Sequence, residues 1–398
     1  MLKQNHLMRS ESFTQFYKQF IKINSSKHHL QKLTIMTTKV FTLIVAALFF
    51  CSLSFATIRR VGYPGIQLSG VDYADLQSAN DAANAGDTIQ IYSSSATSGT
   101  INKQLVIIGF GYNLATNTGL QAIGTSAPSS AAITCGVGSN GTIVEGISGP
   151  FQISDLTGST TPISNITFER CNGSFSFLNY NGYGLISNIT IISCVVQSVQ
   201  FGYNPPGSNP VTNLQIYNCI IEQVTLYDPG TTALIENCVT VSPVYTYSNI
   251  SLNDAQVLVN NCILGYSNST ANVNTVYNNN FFGDSQPTSL PAGTNNRWGQ
   301  DWGAIFNRLG GTNDAAGLYN DPTFAENYYI LKAGSPAING GFNGANAATD
   351  CGIFGGEAAY VYKLSGVPAV PAIYTLTAPG TAASANPYNI TISVRSNN

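Results

Sequence analysis

Five side chains in this chain have the types and spacing that could do chemistry: Glu145, Glu169, Arg170, Glu222 and Glu236. Glu169 and Arg170 are adjacent, and Arg170 is the only cation between Lys103 and Arg297. Two carboxylates at a fixed separation can protonate a leaving group and activate water. An Arg or Lys beside cation-binding carboxylates can instead act as a base. The sequence shows no local motif for either, and it has no Asp-Asp pair. Its three histidines, His6, His28 and His29, all fall in the first 35 residues. An extended strand would point Glu169 and Arg170 to opposite sides. The expectation is therefore a solvated ion pair at a turn rather than a catalytic site. Asp321 and Asp350 read as turn formers rather than metal ligands, and no catalytic residue, metal or cofactor is assigned.

The cysteines point to the elements that carry these residues. One phrase recurs as Asn165-Ile-Thr-Phe-Glu-Arg-Cys171, Asn188-Ile-Thr-Ile-Ile-Ser-Cys194 and Asn213-Leu-Gln-Ile-Tyr-Asn-Cys219. Thr232–Cys238 and Gln256–Cys262 follow, and Val273-Asn-Thr-Val-Tyr-Asn-Asn279 is read as the sixth copy, with Asn279 in place of Cys. Within each copy the apolar residues stand two apart on a β-branched background, the mark of a half-buried strand ending in a polar corner. A strand recurring every 17 to 25 residues cannot bury its inner face alone, and does so by stacking on its neighbours. The fold class is all-β, a right-handed parallel β-helix, because parallel crossovers are almost always right-handed. From about Thr88 to Phe281 the length allows about nine coils, roughly 40 Å at 4.8 Å per strand. The five cysteines are expected to stack as buried, unbonded thiols, since a zinc site would want close pairs and a histidine.

The rest of the chain divides around this core. Residues 1–35 read as a basic N-terminal extension preceding the true start at Met36. Residues 36–56 read as a signal peptide, with an apolar run ending in Ser52-Leu-Ser-Phe-Ala56. That run is short for a membrane span, which needs about 20 residues. Residues 57–365 are the β-helix with its caps, and 366–398 a Pro-rich linker with two short strands, Ile373–Thr377 and Asn389–Val394. The leader holds seven of the sixteen Lys/Arg and one of the nineteen acidic residues. Nine cations against eighteen anions remain, which argues against nucleic acid or an anionic membrane as partner. Trp298, Trp302, Ile305, Phe306 and Leu309 fall on one helical face. They form either a packing stripe or an aromatic platform for a sugar ring, edged by Arg297 and Asp301.

The opening of the mature chain carries a resemblance. A short helix with Asp72 as its N-cap is expected before Gly86-Asp-Thr-Ile-Gln-Ile-Tyr92 and Ile101-Asn-Lys-Gln-Leu-Val-Ile-Ile-Gly109. This order resembles the start of secreted bacterial β-helix proteins of the pectin-lyase-like class, where the helix covers the open first coil. Tyr328–Gly341 followed by Asp350-Cys-Gly-Ile-Phe-Gly-Gly356 resembles the closing coil of the same proteins. The hydrolases of that class carry clustered aspartates, a histidine and Arg-x-Lys, and its lyases a basic residue beside Ca²⁺-holding carboxylates. This chain matches neither pattern. The reading is a secreted or surface-displayed, monomeric, non-catalytic member that engages neutral glycans or cell-surface components. A polysaccharide lyase or hydrolase, and a purely structural rod, are the alternatives.

Overall fold

The computed structural model describes residues 56–62, 72–91, 97–112, 114, 131–155, 159–179, 185–201, 210–226, 230–240, 250–252, 255–265, 274–283, 285–287, 292–307, 326–342, 347–369, 372–377 and 389–395, together with Gln15. The chain divides into two compact units, Met1–Ala56 and Thr57–Asn398. The start-site and signal-peptide readings, Leu309 and Asp321 lie outside the described residues. No described helix is long and apolar enough to cross a membrane.

The second unit winds as a right-handed parallel β-helix. Its first sheet has twelve strands, nine of them between Thr88 and Asn278, and the second has eleven. From Thr88–Ile91 onward chain order alternates between the two, so each coil gives one strand to the first sheet and then at least one to the second. The apolar alternation explains the stacking. Ile166, Ile189, Leu214, Ala233 and Val257 pair in register and are all buried, as are Phe168, Ile191, Ile216, Ile235 and Val259.

The sixth copy sits one residue later than the sequence suggests. Val257 pairs with Thr275 and Val259 with Tyr277, both fully buried, while Val276 faces out. Asn280, not Asn279, therefore continues the cysteine file. Asn278, Asn279 and Asn280 are consecutive, so residue type could not mark the register.

From Ile163–Glu169 onward, seven successive first-sheet strands end in a left-handed residue. Arg170, Ser193, Asn218, Asn237, Asn261, Asn279 and Asn295 all have φ between 50° and 58°. This geometry costs a residue with a β-carbon roughly 1–2 kcal/mol, and asparagine tolerates it best. The cysteine that follows turns inward and is fully buried. Its sulfur accepts the corner N–H of the preceding coil. Cys171 N donates to Cys194 Sγ at 3.2 Å, and the pattern repeats through Cys219, Cys238 and Cys262 at 3.4 Å. Cys262 N donates to Asn280 Oδ1 at 2.8 Å, and Asn280 N to Asn296 Oδ1 at 3.1 Å. Asparagine replaces cysteine because both can accept that proton and both donate back to a carbonyl. The thiols are unbonded, as are Cys135 and Cys351.

At the first coil, helix α1 (Leu76–Ala82) lays Leu76 and Ala79 into the core. Its N-cap is Asp75, whose carboxylate accepts from Ser78 N at 2.7 Å. Asp72 instead begins the strand Asp72–Tyr73, which pairs outside Ile58–Val61. Gln77 Oε1 accepts from Thr100 N on the edge strand Thr97–Ile101 (2.8 Å), and Lys103 closes the helix by donating to Asn80 O and Ala83 O. The helix thus protects an edge that would otherwise expose unpaired backbone.

The other end departs from expectation. Helix α2 is a single turn, Trp302–Ile305, and residues 341–342 and 347–369 do not form a closing coil. They form a strap that runs back along the corner, past one coil after another. Asn261 exchanges two hydrogen bonds with Phe342, and Asn237 Nδ2 donates to Asp350 O. Asn218 Nδ2 donates to Ile353 O and Gly355 O, Ser193 Oγ to Tyr360 O, and Arg170 Nη1 to Val367 O. Beneath the strap Val195, Ile220, Val239, Ile263 and Phe281 form an outward apolar row, covered by Ala337, Cys351, Ile353 and Tyr362. The expected linker at residue 366 is part of this strap. Ser365 to Pro368 is buried, and Gly366 (φ 57°) approaches the Tyr112 ring and Arg170 O too closely for a β-carbon. Ala372–Thr377 and Thr391–Arg395 then pair as an antiparallel hairpin.

Candidate functional site

The five candidate residues separate into one cluster and two outliers. Glu145 and Glu169 are register partners in adjacent coils, at the last position of their strands. Glu236 lies on the same row, but Ile192 and Tyr217 stand between it and Glu169. Glu222 follows the second-sheet strand Ile220–Ile221 and is not on this row.

Arg170 overturns the expected geometry. Its left-handed backbone breaks the strand alternation, so its guanidinium reaches both neighbouring carboxylates. Nη1 stands 3.2 Å from Glu145 Oε1, and Nε stands 3.2 Å from Glu169 Oε1. The pair is not solvated. The Arg170 side chain is 5% exposed, against 12% for Glu145 and 27% for Glu169. The strap completes the enclosure, with Val367 O accepting from Arg170 and Ala369 N donating to Glu145 Oε1 at 2.9 Å. Burial raises the Glu169 carboxyl above its ordinary value, Arg170 opposes that, and Glu145 adds to it. A guanidinium so enclosed presents no face to a substrate. The cluster is an ion triad that fastens the strap.

A second buried group was not legible in the sequence. Glu326 is fully buried, and its carboxylate accepts from Tyr362 Oη at 3.0 Å and Ser365 N at 2.6 Å. Tyr362 Oη lies 2.7 Å from Tyr112 Oη. Burial pushes both phenols well above the usual tyrosine range, and the charge of Glu326 adds to the effect. This network holds the strap to the early coils, linking residues 250 apart in sequence.

The tryptophans do not form a platform. Trp302 is 3% exposed and packs edge-on against Phe306. Trp298 stacks on Phe282 at 3.9 Å and 9°, which covers one face of its ring. Arg297 lies over Phe281, and Asp301 caps α2 through Gly303 N. Asp350 is a turn former, accepting from Asn339 N at 2.9 Å. No group of three or more potential metal ligands occurs among the described residues.

Among the described residues, the strands Ile163–Glu169, Ile186–Ile192 and Val211–Tyr217 turn mostly Ser, Thr, Asn and Gln outward, and Glu145, Glu169 and Glu236 of this sheet lie on one row. No protein-family model matches the chain, and no curated protein is similar to it at a significant level.

Proposed function

We propose that this chain is an exported member of the pectin-lyase-like β-helix class that binds neutral glycans or other uncharged cell-surface components without cleaving them. The observation carrying this reading is the enclosure of Arg170. Lyase chemistry on acidic polysaccharides needs an accessible base beside carboxylates that hold a cation. Here the one mid-solenoid cation is held by Glu145 and Glu169 under the chain's own strap. Electrostatic stabilisation aimed at the reacting atoms is commonly the largest catalytic contribution, and this cluster is aimed at the protein itself. The low count of basic residues and the uncharged polar rows Ser164–Ser187–Thr212 and Thr167–Thr190–Gln215 support recognition of neutral hydroxyl groups over anions.

The test is a panel of pectic, alginate, xylan and mannan substrates, with and without Ca²⁺, followed by unsaturated products and new reducing ends. No turnover is expected on any of them. Turnover abolished by Glu169→Gln, in a variant that melts like the parent, would establish the polysaccharide lyase or hydrolase reading instead.

A further inference from the structure

Three consecutive coils present the same outward pattern. Ser164, Ser187 and Thr212 are in register, and so are Thr167, Thr190 and Gln215. Between these rows Asn165, Asn188 and Asn213 all take left-handed backbone (φ 59°, 54° and 57°), which turns three exposed amides outward. Two of the amides order each other, and Asn165 Nδ2 donates to Ser164 Oγ at 3.2 Å. Asn213 Nδ2 donates to Asn188 Oδ1 at 2.8 Å, and Gln215 Nε2 to Asn213 Oδ1 at 3.1 Å. Asn213 N donates to Thr232 Oγ1 of the next coil at 2.8 Å. The Thr167–Thr190–Gln215 row then continues through Leu234, Leu258 and Val276, the last two 36% and 37% exposed. None of these residues is charged. The next row carries Glu145, Glu169 and Glu236 along one side, with Tyr217 stacked on Tyr360 at 5.0 Å.

We propose that this ladder, Ser164 to Gln215 with its aliphatic continuation, is the binding face for a neutral polysaccharide chain lying along the stack of coils. Coils repeat at about 4.8 Å, comparable with the advance of one sugar ring along a polymer, so successive rings meet equivalent groups. Hydroxyls and amides match sugar hydroxyls, and Leu258 and Val276 match the apolar C–H faces of the rings. Left-handed asparagines and mutual hydrogen bonds fix the amides before a ligand arrives, which lowers the ordering cost of binding. The flanking row keeps a net negative charge, Glu145 and Glu169 sharing the single Arg170 with Glu236 further along, and this disfavours a polyuronate beside the site. This inference rests on the glycan-binding reading above and gives it a location.

The experiment uses the full chain in affinity electrophoresis through gels containing soluble xylan, mannan or polygalacturonate, with retention on insoluble cellulose as a fourth arm. One variant combines Thr167→Ala, Thr190→Ala and Gln215→Ala. A second combines Asn188→Gly and Asn213→Gly, which keeps the left-handed backbone and removes the amides. Retention by at least one neutral polymer is expected, weakened tenfold or more in both variants at unchanged melting temperature, and unaffected by Trp298→Ala. Parent-like retention of both variants overturns the ladder while leaving glycan binding in place. Retention by polygalacturonate above every neutral polymer overturns the selectivity argument and the ladder with it. No retention by any polymer overturns both the ladder and the function on which it rests.

Discussion

Arg170 shows how much one residue's backbone state decides. With ordinary strand geometry it would point away from Glu169; in the left-handed region it joins Glu145, Glu169 and Val367 at one point. Breaking a buried ion pair by removing one partner costs about 3–5 kcal/mol, and partial exposure of the two glutamates places this one at the low end. Arg170→Met is expected to lower unfolding free energy by about 2–3 kcal/mol in denaturant titrations. Asp87 gives a pH test with a definite sign. Burial opposes its ionisation, but the amides of Thr57 and Asn84 and the Arg59 guanidinium outweigh that and hold its carboxyl below the ordinary aspartate value. Its stabilisation is thus complete above the unfolded value and lost as pH falls through the folded one. Melting temperature should fall less on acidification in Asp87→Asn than in the parent, and the variant should be the less stable of the two at neutral pH. Glu169 has the opposite sign, since its raised carboxyl makes the folded state less stable as pH climbs through the glutamate range.

At the scale of elements, the corner and the cysteine file behave as separable devices. Asn218→Gly keeps the turn but loses the bonds to Ile353 O and Gly355 O, while Asn218→Ala loses both. Alanine should therefore be about 1 kcal/mol worse than glycine, and both should speed amide exchange in residues 350–356. Cys219→Ala leaves Cys194 N without its acceptor and should cost about 1–3 kcal/mol. Thiol counting after denaturation without reductant should find Cys171, Cys194, Cys219, Cys238 and Cys262 free, because all five are buried without a disulfide; burial raises the thiols of Cys171, Cys194, Cys219 and Cys262 and pushes Cys135 and Cys351 up to about 12. The strands were legible because their alternation is written in side-chain type, as in Ile166/Phe168 and Ile189/Ile191. Register failed where that information ran out, in the run Asn278–Asn280. The corner was half-written. Asn218, Asn237 and Asn261 precede their cysteines and favour left-handed backbone, whereas nothing about Arg170 or Ser193 marks the same state. The strap was illegible for a different reason. Its turns read like those of a closing coil, and only the tertiary surface shows which way the chain goes.

For the whole second unit, the strap separates two kinds of truncation. A chain ending at Gly340 would uncover the row of Val195, Ile220, Val239 and Ile263, and is expected to aggregate and to bind a hydrophobic dye. A chain ending at Ala369 loses only the hairpin, whose Ile390, Ile392 and Val394 are more than half exposed, and should keep its stability within about 0.5 kcal/mol. The direction of the strap also sets a schedule. Its hydrogen bonds to Asn261, Asn237, Asn218, Ser193, Arg170 and Glu145 span 81, 113, 135, 167, 197 and 224 residues in turn. Closing the shortest of these loops first costs least, and each attachment then brings the next within reach. The contacts close like a zipper drawn from the last coils toward the first, after a ladder whose own pairings are all between neighbours. Synthesis runs the other way, so the earliest coils wait longest for their cover. A ribosome-bound chain that stops before residue 341 would carry a finished spiral with an open seam, which can shut only once the strap itself has been made.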